Sequence, residues 1–311
     1  MAVEETRFGM IYCPKKGLFR RDKSWEKISR CLEESGIQYD FIQSENKDSV
    51  ERLVNMLINN GYKTIIIIGG DSALNDAVNC LMKVDKKTRD SISLGVIPNG
   101  GLNDFSRFWG YRVGETEDTV KWIKERRTRK IDVGCMRYTD KDGNKQMRYF
   151  HNCINVGLVA AIMKMRRQTH KISGSRFMSY VFSFVLMIFQ RLEYKMHLKI
   201  NTDVLKRKIM TVCIGNAPAY GQTPSAVPYN GLLDVSVVYH PEIMQLIEGF
   251  YLLFTDQFLN HKNVHPYRTQ KIEFQDISRS PMSIDGRMYP SPDGPFEVTV
   301  EKEVINFIIP G

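Results

Sequence analysis

IIIIGGDSALNDAVN (Ile65–Asn79), a charged connector and LGVIPNGGLNDF (Leu94–Phe105) form the stretch from which the rest of the chain is read. Each half is an apolar run ending in a glycine turn. Ile65–Ile68 leads into Gly69-Gly70-Asp71 and a helix over Ser72–Met82, and Leu94–Ile97 leads into Pro98-Asn99-Gly100-Gly101 and then Asn103-Asp104. Continuous β-branched runs suit strands buried on both faces of a parallel sheet. Glycines just past such strands let backbone approach a ligand, and the next helix start offers N–H groups to phosphate. Ligands of open α/β sheets sit outside those strand ends. Two such turns, each carrying an aspartate, point to a nucleotide site.

Outward from these turns, Phe8–Cys13 and Tyr39–Ile42 read as strands, while Trp25–Leu32, Val50–Ile58 and Thr119–Arg126 repeat apolar residues at helical spacing. Lys130–Met136 is a further strand, and the alternation predicts a three-layer α/β domain over residues 1–135. The character then changes. Met147–Val156, Lys208–Gly215, Leu232–Tyr239, Tyr267–Phe274, Phe296–Val300 and Val304–Ile309 read as strands with few helices between them. That predicts an antiparallel β-rich domain over residues 136–301, with a hairpin at Thr139–Gln146 and helical insertions at Leu158–Gln190 and Glu242–Leu259.

At 311 residues and 42% hydrophobic, the chain can bury a large core. A net charge of +9 favours an anionic partner such as nucleotide phosphate, acidic lipid or nucleic acid, although a basic protein without such a partner has the same charge. No nucleic acid is expected as a partner. Six scattered cysteines with no CxxC pair fit a reduced compartment. The opening MAVEETRFG lacks a signal-peptide pattern, and the apolar stretch Phe177–Phe189 is too short to span a bilayer. A cytoplasmic protein, peripheral at the inner face of the membrane, is therefore expected.

The candidate residues each carry a second reading. Asp71 at a strand end can hold Mg²⁺ on a polyphosphate or accept a proton, and it equally suits a helix N-cap. Asn103 and Asp104 can orient a ligand and bind metal, or cap the next helix. Lys15, in Pro14-Lys15-Lys16-Gly17, can meet phosphate or lie on an exposed basic turn. Asp132, inside an apolar strand, needs a partner, which can be structural. Asp285-Gly286-Arg287 reads first as a β-turn. MKMRRQTHK (Met163–Lys171) beside an aromatic helix suits an anionic membrane surface or a core helix with a basic flank.

Taken together, the motifs resemble the diacylglycerol kinase catalytic family, which includes sphingosine, ceramide and bacterial lipid kinases. The family's NPxSG resembles Cys13–Gly17, its GGDGTLNEVVNG resembles Gly69–Cys80, and its LGVIPLGTGNDFAR resembles Leu94–Arg107. Its RxIDxG resembles Arg129–Gly134, the segment ending in DGLLDV resembles Gly215–Val235, and DGE resembles Asp285-Gly286-Arg287. The resemblance implies a phosphofructokinase-like and NAD-kinase-like α/β domain, a β-sandwich-like domain and a nucleotide cleft between them. It also implies that the segment near 302–311 packs back on the first domain.

The implied reaction is Mg²⁺-dependent transfer of the ATP γ-phosphoryl group to a lipid hydroxyl, of diacylglycerol or a sphingoid or ceramide-type lipid, at a membrane surface. By position, Gly69, Gly70, Asp71, Ser72, Ala73, Asn75, Gly100, Gly101, Asn103, Asp104 and Lys15 would line the nucleotide. Asp132 and Asp104 would belong to an aspartate network around the metal. Asn230 and Leu232 stand where bacterial members hold a structural metal. Asp285 would lie near the attacking hydroxyl, with Asp71 as the other candidate base and Arg287 in the same turn. A homodimer is the candidate oligomer.

Several departures bear on the chemistry. GGDGT is GGDSA here, the Gly-Thr-Gly-Asn turn is Gly100-Gly101-Leu102-Asn103, the DGLLDV aspartate is Asn230, and the DGE glutamate is Arg287. A divergent kinase using Asp71 or Asp285 as base fits these changes, and so does a paralogue that binds without efficient transfer. An NAD kinase shares the GGD turn but lacks a segment such as Gly231–Val235.

Overall fold

The computed structural model describes residues 7–14, 24–46, 49–164, 193–239 and 257–311, with Gln245, Glu248 and Leu252 besides. Lys15 and most of the two expected helical insertions lie outside the described residues. The chain divides into two units, Met1–Val133 with Lys302–Gly311, and Gly134–Glu301.

The first unit begins β1 (Phe8–Tyr12), α1 (Ser24–Glu34), β2 (Tyr39–Gln43), α2 (Ser49–Asn59), β3 (Thr64–Gly69) and α3 (Asp71–Lys83). It continues with α4 (Lys86–Asp90), β4 (Ser93–Pro98), α5 (Asp104–Phe108), α6 (Thr116–Glu125) and the start of β5 (Thr128–Thr139). β1 pairs in parallel with β2 and β3, and β3 in parallel with β4. Ile65, Ile66, Ile67 and Ile68 are all fully buried. Each such side chain stabilises the fold by about 1.5–3 kcal/mol relative to exposure. α1 buries Ile28, Cys31 and Leu32, and α2 buries Val50, Leu53, Val54 and Leu57, the i, i+3, i+4 stripe of a helix lying on a sheet. α4 and α5, five residues each, are too short to leave a periodic signal, and neither is visible in the apolar pattern.

The second unit is a β-sandwich with antiparallel sheets. Its strands are the end of β5, β6 (Lys145–Phe150), β7 (Cys153–Gly157), β8 (Tyr194–Ile200), β9 (Asp203–Ile209), β10 (Thr211–Gly215) and β11 (Leu233–Val238). β12 (Val264–Thr269), β13 (Lys271–Asp276), β14 (Met282–Ile284), β15 (Arg287–Tyr289) and the first half of β16 (Phe296–Ile308) complete it. One sheet runs β12-β11-β10-β7-β14-β15. The other runs β16-β13-β8-β9, with β5 on β16 and β6 on β5. Ile154, Val156, Val212, Ile214, Val235 and Val237 of the first share one core with Met196, Leu198, Ile200, Ile272, Phe274 and Val298 of the second.

Several expected strands are divided. Met147–Val156 is two strands broken at His151-Asn152, Lys208–Gly215 contains the end of β9 and all of β10, and Tyr267–Phe274 spans β12 and β13. In each case the backbone changes its pairing partner at the break, which composition does not record. The opposite happens at the C-terminus. Phe296–Val300 and Val304–Ile309, read as two strands, belong to the single β16. Glu303 takes a left-handed conformation, φ 51°, inside that strand, and its N–H donates to Asp132 Oδ1 at 2.9 Å.

Beyond Glu303, Asn306 and Phe307 pair in parallel with Ser93 and Leu94 of β4. Ile309 N–H donates to the Arg127 carbonyl, and the buried Tyr111 hydroxyl donates to the Ile308 carbonyl at 3.0 Å. Asp132→Ala removes the acceptor at the bend of β16. It is expected to cost about 1.5–3 kcal/mol, the usual worth of a hydrogen bond to a charged group. A denaturant midpoint equal to the parent's would show that the bend does not depend on Asp132.

Candidate functional site

The two glycine turns of the first unit meet each other. β3 and β4 are neighbours in parallel, with Gly69 opposite Pro98, so both turns open at the same end of the sheet. A Cβ placed on Gly70 would lie 2.8 Å from Gly100 Cα, and one on Gly100 would lie 2.5 Å from both Gly70 Cα and Asn103 Oδ1. Only glycine allows the two backbones this approach. Gly69 is less constrained: a Cβ there would stand 3.1 Å from Ala73 Cβ, so Ala73 packs under the turn.

Hydrogen bonds then fix the pair. Asn99 N–H donates to the Gly69 carbonyl at 2.8 Å, and Gly100 N–H donates to Asn103 Oδ1 at 3.0 Å. Asn103 itself is left-handed, φ 53°, a conformation asparagine tolerates better than most residues. Asp104 N–H donates to Asp71 Oδ2 at 3.0 Å, tying the start of α5 to the start of α3. Asp104, only 6% exposed, forms a charge-assisted hydrogen bond with the Arg107 guanidinium three residues on. The first turn of α3, containing Asp71 and Ser72, begins at this junction, where helix N–H groups lack intrahelical acceptors and the helix dipole favours an anion.

The structure thus brings Gly69, Gly70, Asp71, Gly100, Asn103 and Asp104 together. Asn75 is buried within α3, its Oδ1 accepting from Asn79 Nδ2 at 3.2 Å. A Cβ added to Gly101 would have nothing within 4 Å, and Leu102 beside it is exposed. Asp132 is engaged with Glu303, as described above. Among the described residues no group of three or more His, Cys, Asp or Glu side chains is placed to hold a metal ion. The donors at the junction fit a Mg²⁺ held by one or two carboxylates and completed by phosphate oxygens, the usual arrangement for that ion.

Asn230 and Leu232 do not offer the second metal site a carboxylate. Asn230 Oδ1 accepts the Leu232 N–H at 2.9 Å, an Asx turn that closes this loop by itself.

In the second unit, Asp285 and Gly286 have φ 42° and 75°, as a two-residue hairpin turn between β14 and β15 requires. Asp285 is 1% exposed. Its Oδ1 accepts N–H groups of Asn152 at 3.1 Å and Cys153 at 2.8 Å. Its Oδ2 accepts the His151 N–H at 3.0 Å and lies 2.8 Å from His151 Nδ1. Burial pushes the Asp285 carboxyl up, but the His151 charge and these donors outweigh it and leave it below the usual carboxylate range. Asp285 is thereby the clamp that holds the break between β6 and β7. Arg287, half-buried, stands opposite Ile284 in the hairpin.

Neither His151 nor Arg107 stands out in the sequence as a site residue. No spacing rule links His151 to a carboxylate 134 positions away. The i, i+3 spacing of Asp104 and Arg107 on a helix start is the one local signal that points to the second pair.

Residues 7–136 match the diacylglycerol kinase catalytic domain, and residues 152–309 match the YegS C-terminal NAD kinase beta sandwich-like domain. The chain belongs to the diacylglycerol kinase family. It is similar to the YtlR protein of Bacillus subtilis, 24% identical over 283 residues that cover 85% of this chain and 87% of that one. A diacylglycerol kinase of Staphylococcus carnosus is 21% identical over 286 residues, covering 90% and 88% of the two chains. The crystal structure of a diacylglycerol kinase from Bacillus anthracis superposes with a TM-score of 0.68 at 16% identity, covering 98% of this chain and 97% of that one. That likeness shows the two-part fold. Against the diacylglycerol kinase pattern, the changes to Ser72, Ala73, Leu102 and Arg287 all fall at turns described above. No helix among the described residues is long and apolar enough to cross a membrane.

Proposed function

We propose that the chain is a lipid kinase that transfers the γ-phosphoryl group of ATP to a lipid hydroxyl. The observation that carries this reading is the fused pair of glycine turns, locked by Asp71 Oδ2 to Asp104 N–H and by Asn103 Oδ1 to Gly100 N–H. A polyphosphate resting there meets backbone N–H groups and the N-terminus of α3. Phosphoryl transfer depends on positioning and charge neutralisation, which a rigid junction provides. Mg²⁺, when bound, would neutralise phosphate charge, with Asp104 as a protein ligand. Asp71 is the candidate proton acceptor, since the Asp285 oxygens are occupied by His151, Asn152 and Cys153.

Asp104→Ala is expected to reduce the thermal stabilisation given by Mg²⁺-nucleotide, because a ligand stabilises in proportion to its affinity for the folded state. Unchanged stabilisation would place the nucleotide elsewhere. Turnover is tested by following γ-phosphate into lipids, nucleosides and NAD. Incorporation into a lipid is the expected result, and incorporation into NAD alone would replace the lipid reading. A second reading, nucleotide and lipid binding without efficient transfer, is favoured by Arg287. It replaces a glutamate, and a guanidinium stays protonated and cannot accept a proton. The absence of transfer to any lipid, with nucleotide binding retained, would select it.

A further inference from the structure

Two side-chain amides at the fused glycine turns carry donors with no acceptor among the described residues. Asn99 is 4% exposed and Asn103 2% exposed, and the Nδ2 of each makes no hydrogen bond. The orientation of Asn103 is fixed, because its Oδ1 takes the Gly100 N–H at 3.0 Å and only the oxygen of an amide accepts. Its NH2 group is left over at the junction, where Oδ1 stands 3.4 Å from the place of a Cβ on Gly70. Asn99 comes one residue after the Gly69–Pro98 pair, and its own N–H donates to the Gly69 carbonyl, which holds it beside Gly70. A buried donor left unmet weakens the folding equilibrium by roughly 5- to 150-fold.

Folding alone does not account for asparagine at position 99. Other buried amides of this unit are met: Asn79 Nδ2 donates to the Asn75 carbonyl at 2.9 Å and to Asn75 Oδ1 at 3.2 Å. The motif LGVIPLGTGNDFAR, against which Leu94–Arg107 was read, has leucine where this chain has Asn99, so the amide lies outside that pattern. Asp71 and Asp104 bring carboxylates to the same junction, and Arg107 offsets the second. The ligand that suits neutral NH2 groups beside two carboxylates is an acceptor-rich anion arriving with its own cation, as a polyphosphate does with Mg²⁺.

We propose that Asn99 is a phosphate-binding residue of this chain's own, its NH2 group donating, with that of Asn103, to the phosphate chain of the nucleotide. The assignment rests on the nucleotide reading above and adds a residue to it. The last torsion of an asparagine side chain is broad and nearly two-fold, so the NH2 group of Asn99 can turn to a ligand without moving the backbone. A hydrogen bond to a charged oxygen is about twice as strong as one between neutral groups, so phosphate rewards such a donor more than a sugar hydroxyl does.

The test is titration calorimetry of the full chain with Mg²⁺-ATP and with Mg²⁺-tripolyphosphate, alongside the unfolding midpoint without ligand. Asn99→Leu should weaken both ligands by roughly 10- to 150-fold, the worth of a hydrogen bond to a charged group. Its midpoint without ligand should equal or exceed the parent's, because an apolar side chain of similar size removes the unmet donor. Asn99→Ala, smaller than asparagine, should show the same loss of binding and decides the matter if the leucine variant does not fold. A water that ties the amide to the protein would reverse the pattern. The midpoint would then fall while binding stayed, and the proposal would be overturned. Weaker ATP binding with tripolyphosphate binding unchanged would also overturn it, by placing the amide on the ribose or base. Binding by the parent and equal binding by both variants removes Asn99 alone. If the parent binds neither ligand, the nucleotide reading itself falls and takes this assignment with it.

Discussion

Asp285→Ala lowers the unfolding midpoint by roughly 6–20 °C, if a broken buried charge pair costs ~3–5 kcal/mol and each kcal/mol moves the midpoint ~2–4 °C. The substitution leaves the N–H groups of His151, Asn152 and Cys153 without their acceptor and the His151 ring without its carboxylate. The effect has a defined pH signature. Because the folded carboxyl lies below its ordinary value, its contribution is complete above about pH 4 and fades as pH falls through the folded pKa. Parent and variant midpoints should therefore converge as pH falls below about 4. Calorimetry of both proteins across that range is the measurement. A variant that unfolds with the parent yet loses phosphoryl transfer would return Asp285 to the chemistry.

Gly100→Ala is the second large effect. Its new methyl would stand 2.5 Å from Gly70 Cα and from Asn103 Oδ1, so backbone must move on one side of the junction. Forcing an atom into a closed contact costs about 1–3 kcal/mol. More of the consequence should appear in binding. Separating the turns breaks the Gly100-to-Asn103 and Asp104-to-Asp71 bonds that set the phosphate cradle, and nucleotide-induced stabilisation should be lost. Gly101→Ala is the internal control for folding, because a Cβ at that position has nothing within 4 Å. Its unfolding free energy should stay within about 0.5 kcal/mol of the parent's. If Gly100→Ala keeps both its midpoint and its response to nucleotide, the fused turns are not the binding site.

Both effects arise from glycine or carboxylate positions in turns, yet for different reasons. At Gly100 the constraint is steric and independent of solution conditions. At Asp285 it is electrostatic: desolvation works against the charged form and is outweighed by the His151 charge and by donors on the His151–Cys153 backbone. Acid should therefore separate them, since the Asp285 difference shrinks at low pH while the Gly100 difference does not.

The local elements of the first unit were decided by the sequence. Ile65–Ile68 and Leu94–Ile97 are apolar without interruption because both faces of their strands are covered, and Gly70 and Gly100 are glycine because their backbones nearly touch. The period of α1 and α2 and the Asp285-Gly286 turn are equally local, set by residues within a few positions of each other. Tertiary structure alone decided what depends on distant partners. Asp132 meets Glu303 and turns two expected strands into one, and Asp285 meets His151–Cys153 and divides one expected strand into two. Which backbone donors a buried carboxylate meets is decided by the tertiary pairing of distant segments. In both cases those donors lie more than a hundred residues away in sequence, beyond the reach of any periodicity.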